Sequence, residues 1–125
     1  MVRCLLLATL LLGLTAKAAE LTGDALFESV LNGVGAQGCR EGGVFRSCLN
    51  LKEQQCNAIV RSAAHMCFQR MSADIPMIIA SKEDAEKWGA RIATCIASVT
   101  ANANSDILNE SEAVCAALKN RNAGK

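Results

Sequence analysis

Residues 50–72 read NLKEQQCNAIVRSAAHMCFQRMS. Cys56, Val60, Ala63, Cys67 and Met71 recur every three or four positions, the period of an α-helix with one face turned inward. Asn50, followed three residues later by Glu53, forms a capping-box-like start, and the pattern fades at about Ser72. Two of the five inward positions are cysteines. Cys56 and Cys67 lie 11 residues apart on one face, about 16 Å at the helical rise of ~1.5 Å per residue. A disulfide needs Cα atoms about 4.4–6.8 Å apart. They cannot pair with each other, so each must tie this helix to another element.

The same period extends outward in both directions. Thr22 can cap an earlier, short helix in which Leu26/Val30 and Phe27/Leu31 stack at i, i+4, with Asn32-Gly33 as its expected end. A glycine-rich loop carrying Cys39 is expected next. Ser81 with Asp84 opens a third helix whose stripe is Ala85, Trp88, Ile92, Cys95 and Val99. After the polar NANSD stretch a fourth helix carries Ile107, Val114, Cys115 and Leu118, with Asn109 and Glu112 as a second capping pair. One Trp, three Phe and no Tyr beside abundant alanine favour closely packed helices over a sheet. The reading is an all-α fold, a small bundle of about four helices.

Residues 1–19 read as a secretory leader: Arg3 as the basic start, Cys4–Leu14 as the apolar run, and Ala16-Lys17-Ala18 as a small-x-small cleavage pattern. The run is shorter than the ~20 residues a bilayer span needs, and no later stretch reaches that length. The expectation is Sec-dependent export to the periplasm, or to the extracellular space in a eukaryote, with residues 20–125 forming one helical disulfide-rich domain and no stable membrane anchor. Removing Arg3 and Lys17 takes the 13 basic residues to 11 against 12 acids, a net charge near −1. No basic block remains to attract nucleic acid.

Six cysteines follow the leader: Cys39, Cys48, Cys56, Cys67, Cys95 and Cys115. An even number in a short exported chain reads as three disulfides. The intervening 8, 7, 10, 27 and 19 residues and the single His65 do not match zinc-ligand spacing, so no metal and no cofactor is expected. If the helices run up and down with level ends, Cys56 faces Cys95 and Cys67 faces Cys115, leaving Cys39–Cys48 to close the loop. Cys95–Cys115 with Cys48–Cys56 is the alternative.

Candidate chemistry is thin. Gly33-Val34-Gly35-Ala36-Gln37-Gly38 matches G-x-G-x-x-G, but a dinucleotide fingerprint needs a strand before it and a helix opening after it. Here it follows a predicted helix, and the match is fortuitous. GCREGG resembles the calcium loop of secreted phospholipases A2, yet those enzymes carry His followed by Asp, and His65 is followed by Met66. His65 lies off the inward stripe, and no G-x-S-x-G elbow accompanies it. The carboxylates Glu83, Asp84, Glu86, Glu110 and Glu112 fall in expected first helical turns, where they complement the helix dipole. Asn109-Glu110-Ser111 is a glycosylation sequon only if the pathway is eukaryotic. No enzyme is expected.

The exceptional stretch is SADIPMIIASK, residues 72–82. A helix connection is ordinarily polar, and this one carries Ile75, Pro76, Met77, Ile78 and Ile79. It can fold over the bundle end as a lid, or present Ile75, Pro76, Met77 and Ile78 to a partner. The run FRSCLNLKEQQC followed by Cys67, Trp88-Gly89 and Cys95 resembles small exported, cysteine-bearing helical proteins of Gram-negative bacteria, among them immunity proteins against type VI secretion effectors. That resemblance implies a binding factor that inhibits another protein. A carrier of a small apolar ligand or lipid is the alternative function, and a homodimer the alternative partner.

Overall fold

The computed structural model describes residues 20–120; the expected leader lies outside them. Within this range the chain runs β1 (Leu21–Thr22), α1 (Gly23–Cys39), α2 (Val44–Leu49), α3 (Glu53–Met71), β2 (Ile78–Ile79), α4 (Lys82–Ala103) and α5 (Ala113–Asn120). The all-α expectation holds, with five helices in place of about four and one two-residue antiparallel ladder between β1 and β2. The three long helices α1, α3 and α4 each pack on the other two. α2 bridges α1 and α3, and α5 lies against α4.

The caps explain the well-placed boundaries. The Thr22 hydroxyl accepts from the Ala25 N–H at 3.1 Å, and the Ser81 hydroxyl from the Asp84 N–H at 3.1 Å. The start of α3 is displaced from Asn50: that residue holds a left-handed conformation (φ 52°) closing α2, and the Gln55 Oε1 instead accepts from the Lys52 N–H. α5 likewise begins at Ala113 rather than at Asn109, whose N–H donates to the Cys48 carbonyl at 2.9 Å.

The expected inward stripe of α3 is buried at Cys56, Val60, Ala63 and Cys67, with Met71 half-buried. α4 departs from a single stripe. All six residues Ile96–Ala101 are buried, and α4 packs against α1, α3 and α5. Serine, alanine and threonine there permit close approach on every side.

The glycine-rich segment is not a loop. α1 continues through Gly33, Gly35 and Gly38 to Cys39, and the turn is confined to Arg40–Gly43, where Gly42 has φ 78°. Gly35 faces Asn57 of α3, and Gly38 lies under the Phe45 ring of α2, where a Cβ would collide with it. These glycines serve helix contact, at the usual helical cost of about 1 kcal/mol each.

That extension of α1 also corrects the disulfides. All six expected cysteines are paired, as Cys39–Cys56, Cys48–Cys115 and Cys67–Cys95, with Cα separations of 5.5, 5.5 and 6.0 Å. Neither the expected Cys39–Cys48, Cys56–Cys95, Cys67–Cys115 set nor the alternative set occurs. Cys39 stands at the end of a helix beside the start of α3, and α2 carries Cys48 toward α5. Cys67 meets Cys95 because α3 and α4 do not have level ends: Cys67 is one turn from the end of α3, whereas Cys95 lies ~20 Å into α4. The first turns of α4 overhang the end of α3.

Candidate functional site

The connection that spans this overhang contains the residues singled out from sequence. α3 stops at Ser72, whose N–H donates to the Phe68 carbonyl at 2.8 Å, and the Asp74 and Ile75 N–H groups both donate to the Met71 carbonyl. Pro76 supplies no N–H and biases Ile75 toward extended backbone, so the helix cannot resume. The chain then runs straight enough for β2 to pair with β1 in the register Leu21↔Ile79, Thr22↔Ile78.

The segment presents two faces. Ile79 is buried and Ile75 half-buried, both packed into the core. Pro76 is exposed, Met77 is 88% exposed and Ile78 48% exposed. Of the four expected contact residues, the structure therefore turns three outward and tucks Ile75 partly under them. Gly23 is the position sequence reasoning missed. A Cβ there would strike Ile75 and the Pro76 carbonyl, so a glycine at the first residue of α1 lets the connection lie flat across the bundle end. The signal was available only in retrospect, since a glycine beginning a helix has many explanations.

The ladder leaves an open edge. The Gly23 N–H donates to the Met77 carbonyl at 3.0 Å, which makes the neighbouring Thr22/Ile78 pair a non-hydrogen-bonded one. In that geometry the Ile78 N–H and C=O point away from β1. Two clefts flank the exposed residues. One of about 230 Å³ lies between Asp24, Phe68, Ile75 and Met77; the other, about 600 Å³, runs along Leu21, Ile78, Ala80 and Lys82.

The remaining candidates are scattered. His65 is exposed on α3, its Nε2 3.3 Å from the Gln69 side-chain nitrogen. Glu83 and Asp84 occupy the first turn of α4, as expected; Glu110 and Glu112 precede α5 rather than opening it. The Ser111 hydroxyl bonds to the Asn109 side chain, and Asn109 is exposed. Trp88, half-buried, carries the Arg91 guanidinium 4.5 Å above its ring. None of these lines the cleft between Asp24, Phe68, Ile75 and Met77. Among the described residues, no helix is long and apolar enough to cross a membrane.

Comparison with known proteins places the chain. The family model described as "T2SS substrate NttA" matches residues 20–105, and the chain belongs to that family. The family is one of type II secretion substrates, so this is an exported protein. The part of the sequence resemblance that stands is accordingly the small, exported, disulfide-bonded helical protein. No curated protein and no solved structure matches.

Proposed function

Taking membership in the NttA family of secretion substrates as premise, we propose that this chain is a non-enzymatic factor that acts after export by binding another protein and occluding its surface, as an inhibitor does. The observation that carries the reading is the outward placement of Met77 and Ile78 on a segment anchored from beneath by Ile75 and Ile79. Exposing a large apolar side chain forgoes about 1.5–3 kcal/mol of burial that a partner's surface can recover. Anchoring matters as much. A rigid contact loses less conformational entropy on binding than a mobile loop does, and the ladder, Gly23 and the Cys67–Cys95 disulfide all restrain this segment. The clefts beside it open to solvent, which favours a docked protein surface over a carried lipid. The family's description supports a site of action outside the cell rather than the periplasmic one that the leader alone suggests.

The test is retention of an exported or environmental protein on immobilised, disulfide-intact chain. A specific partner should be retained by wild type and by Glu86→Ala, exposed on α4, and lost with Met77→Asp/Ile78→Asp at unchanged helix content. Equal retention by the Met77/Ile78 variant would refute the site, and a phenotype abolished by His65→Ala with binding intact would revive an enzyme.

A further inference from the structure

The cleft beside Ile75 and Met77 does not end there. It shares Asp24 and Phe68 with a second cleft of about 400 Å³, which in turn shares Leu31 and Arg61 with a third of about 400 Å³ reaching Ala36 and Glu53. The three form one groove between α1 and α3, running from the exposed apolar segment to the far end of the bundle. From Asp24 to Ala36 it follows α1 for ~18 Å, the span of about five or six extended residues.

Asp24 lies toward the apolar segment, in the cleft it shares with Met77, and Arg61 toward the far end, in the cleft it shares with Asn57. Asp24 and Glu28 stand one turn apart on α1, and Arg61 and His65 one turn apart on α3, so each pair shares a helix face. Asp24, Glu28 and Arg61 are exposed, and among the described residues none of them forms an ion pair. Between the walls lies an apolar floor of Phe27, Leu31, Ala64 and Phe68, with the two rings edge-to-face at 5.1 Å. Beyond Arg61 the lining carries the amides of Asn32 and Asn57, with the Glu53 carboxylate at its far end and Gly35 facing Asn57.

Resting on the protein-binding reading above, we infer that this groove takes an extended segment of the partner whose side chains follow the order apolar, basic, acidic. The apolar residue meets Met77 and Pro76, the basic one meets Asp24 and Glu28 beside the Phe68 ring, and the acidic one meets Arg61 and His65. Asn32 and Asn57 then hydrogen-bond the segment's main chain. Opposite charges set in sequence along a groove give direction as well as affinity, because the reversed segment sets its acidic residue on apolar Met77 and its apolar residue on Arg61, leaving a charge without its partner at each end.

The probe is a display library of eight-residue peptides selected on the disulfide-intact chain. Peptides enriched on wild type should share the apolar–basic–acidic order and bind Asp24→Lys/Glu28→Lys or Arg61→Glu at least tenfold more weakly. The combined Asp24→Lys/Glu28→Lys/Arg61→Glu chain should enrich the order with the charges exchanged. All are exposed surface changes, and the milder Asp24→Asn/Glu28→Gln pair should weaken binding in the same direction. Selection without binders, binders indifferent to these substitutions, or self-association of the chain abolished by Arg61→Glu would overturn the inference, the last assigning the groove to a second copy. Peptides lost with Met77→Asp/Ile78→Asp but insensitive to the groove charges would leave the apolar contact standing and the groove refuted. The opposite pattern would refute the apolar contact and leave the groove.

Discussion

Two glycines of one helix illustrate how differently the same residue can be used. Gly38 is buried beneath Phe45, and a methyl group there has nowhere to go without moving the ring or the α2 backbone. Gly33 is exposed, and nothing lies within 4 Å of where its Cβ would be. Gly38→Ala should therefore destabilise the fold by ~1–3 kcal/mol through overpacking, whereas Gly33→Ala should stabilise it by roughly 0.5–1 kcal/mol through helix propensity. Urea denaturation of both variants checks the pair, and a common sign would contradict the contact. The G-x-G-x-x-G spelling is thus accounted for residue by residue: one position is needed for contact with Phe45, one leaves space for Asn57, and one is free.

At the scale of elements, the disulfides differ in access. Cys95 is half-buried, while the other five cysteines are at most 2% exposed. Graded reduction followed by alkylation and peptide mass mapping should label Cys67 and Cys95 first; simultaneous labelling of all six would contradict that order. The pairing itself shows where sequence reading ran out. Periodicity placed Cys56, Cys67 and Cys95 on the correct helices, and both correctly placed caps, Thr22 and Ser81, are short-range features with a local hydrogen bond to signal them. Which cysteine faces which depends on how far α4 overhangs α3, and that offset is set by the ten residues 72–81 folding back onto β1. A two-residue ladder between distant segments has no local signature. The end of α1 was misjudged for a related reason: Asn32-Gly33 is a sound stop signal, overridden here by the packing of Gly35 and Gly38 against α3 and α2. The apolar connection was legible because isoleucines in a helix linker contradict the usual pattern. Its continuation into the α1–α3 groove was not, since Asp24, Glu28, Arg61 and His65 are ordinary surface residues until two helices line one groove with them.

For the molecule as a whole, size makes the crosslinks decisive. Closing loops of 17, 67 and 28 residues contributes about 3–4.5 kcal/mol apiece in the chain-entropy account, together comparable to the ~5–15 kcal/mol net stability of a typical domain. The fully reduced chain should therefore lose its cooperative thermal transition in circular dichroism. A reduced chain that still melts cooperatively near the oxidised midpoint would show that the helical core suffices. This dependence fits an exported protein, which folds where disulfides form.

If Met77 and Ile78 form a protein contact, site-specific photo-crosslinking captures the partner there. A benzophenone side chain at position 77, in chain exported by the cells that make it, should yield one discrete adduct with a second polypeptide. The same probe at Glu86, exposed on α4, should yield none. Absence of any adduct at position 77, or the same adduct from both positions, would contradict that contact.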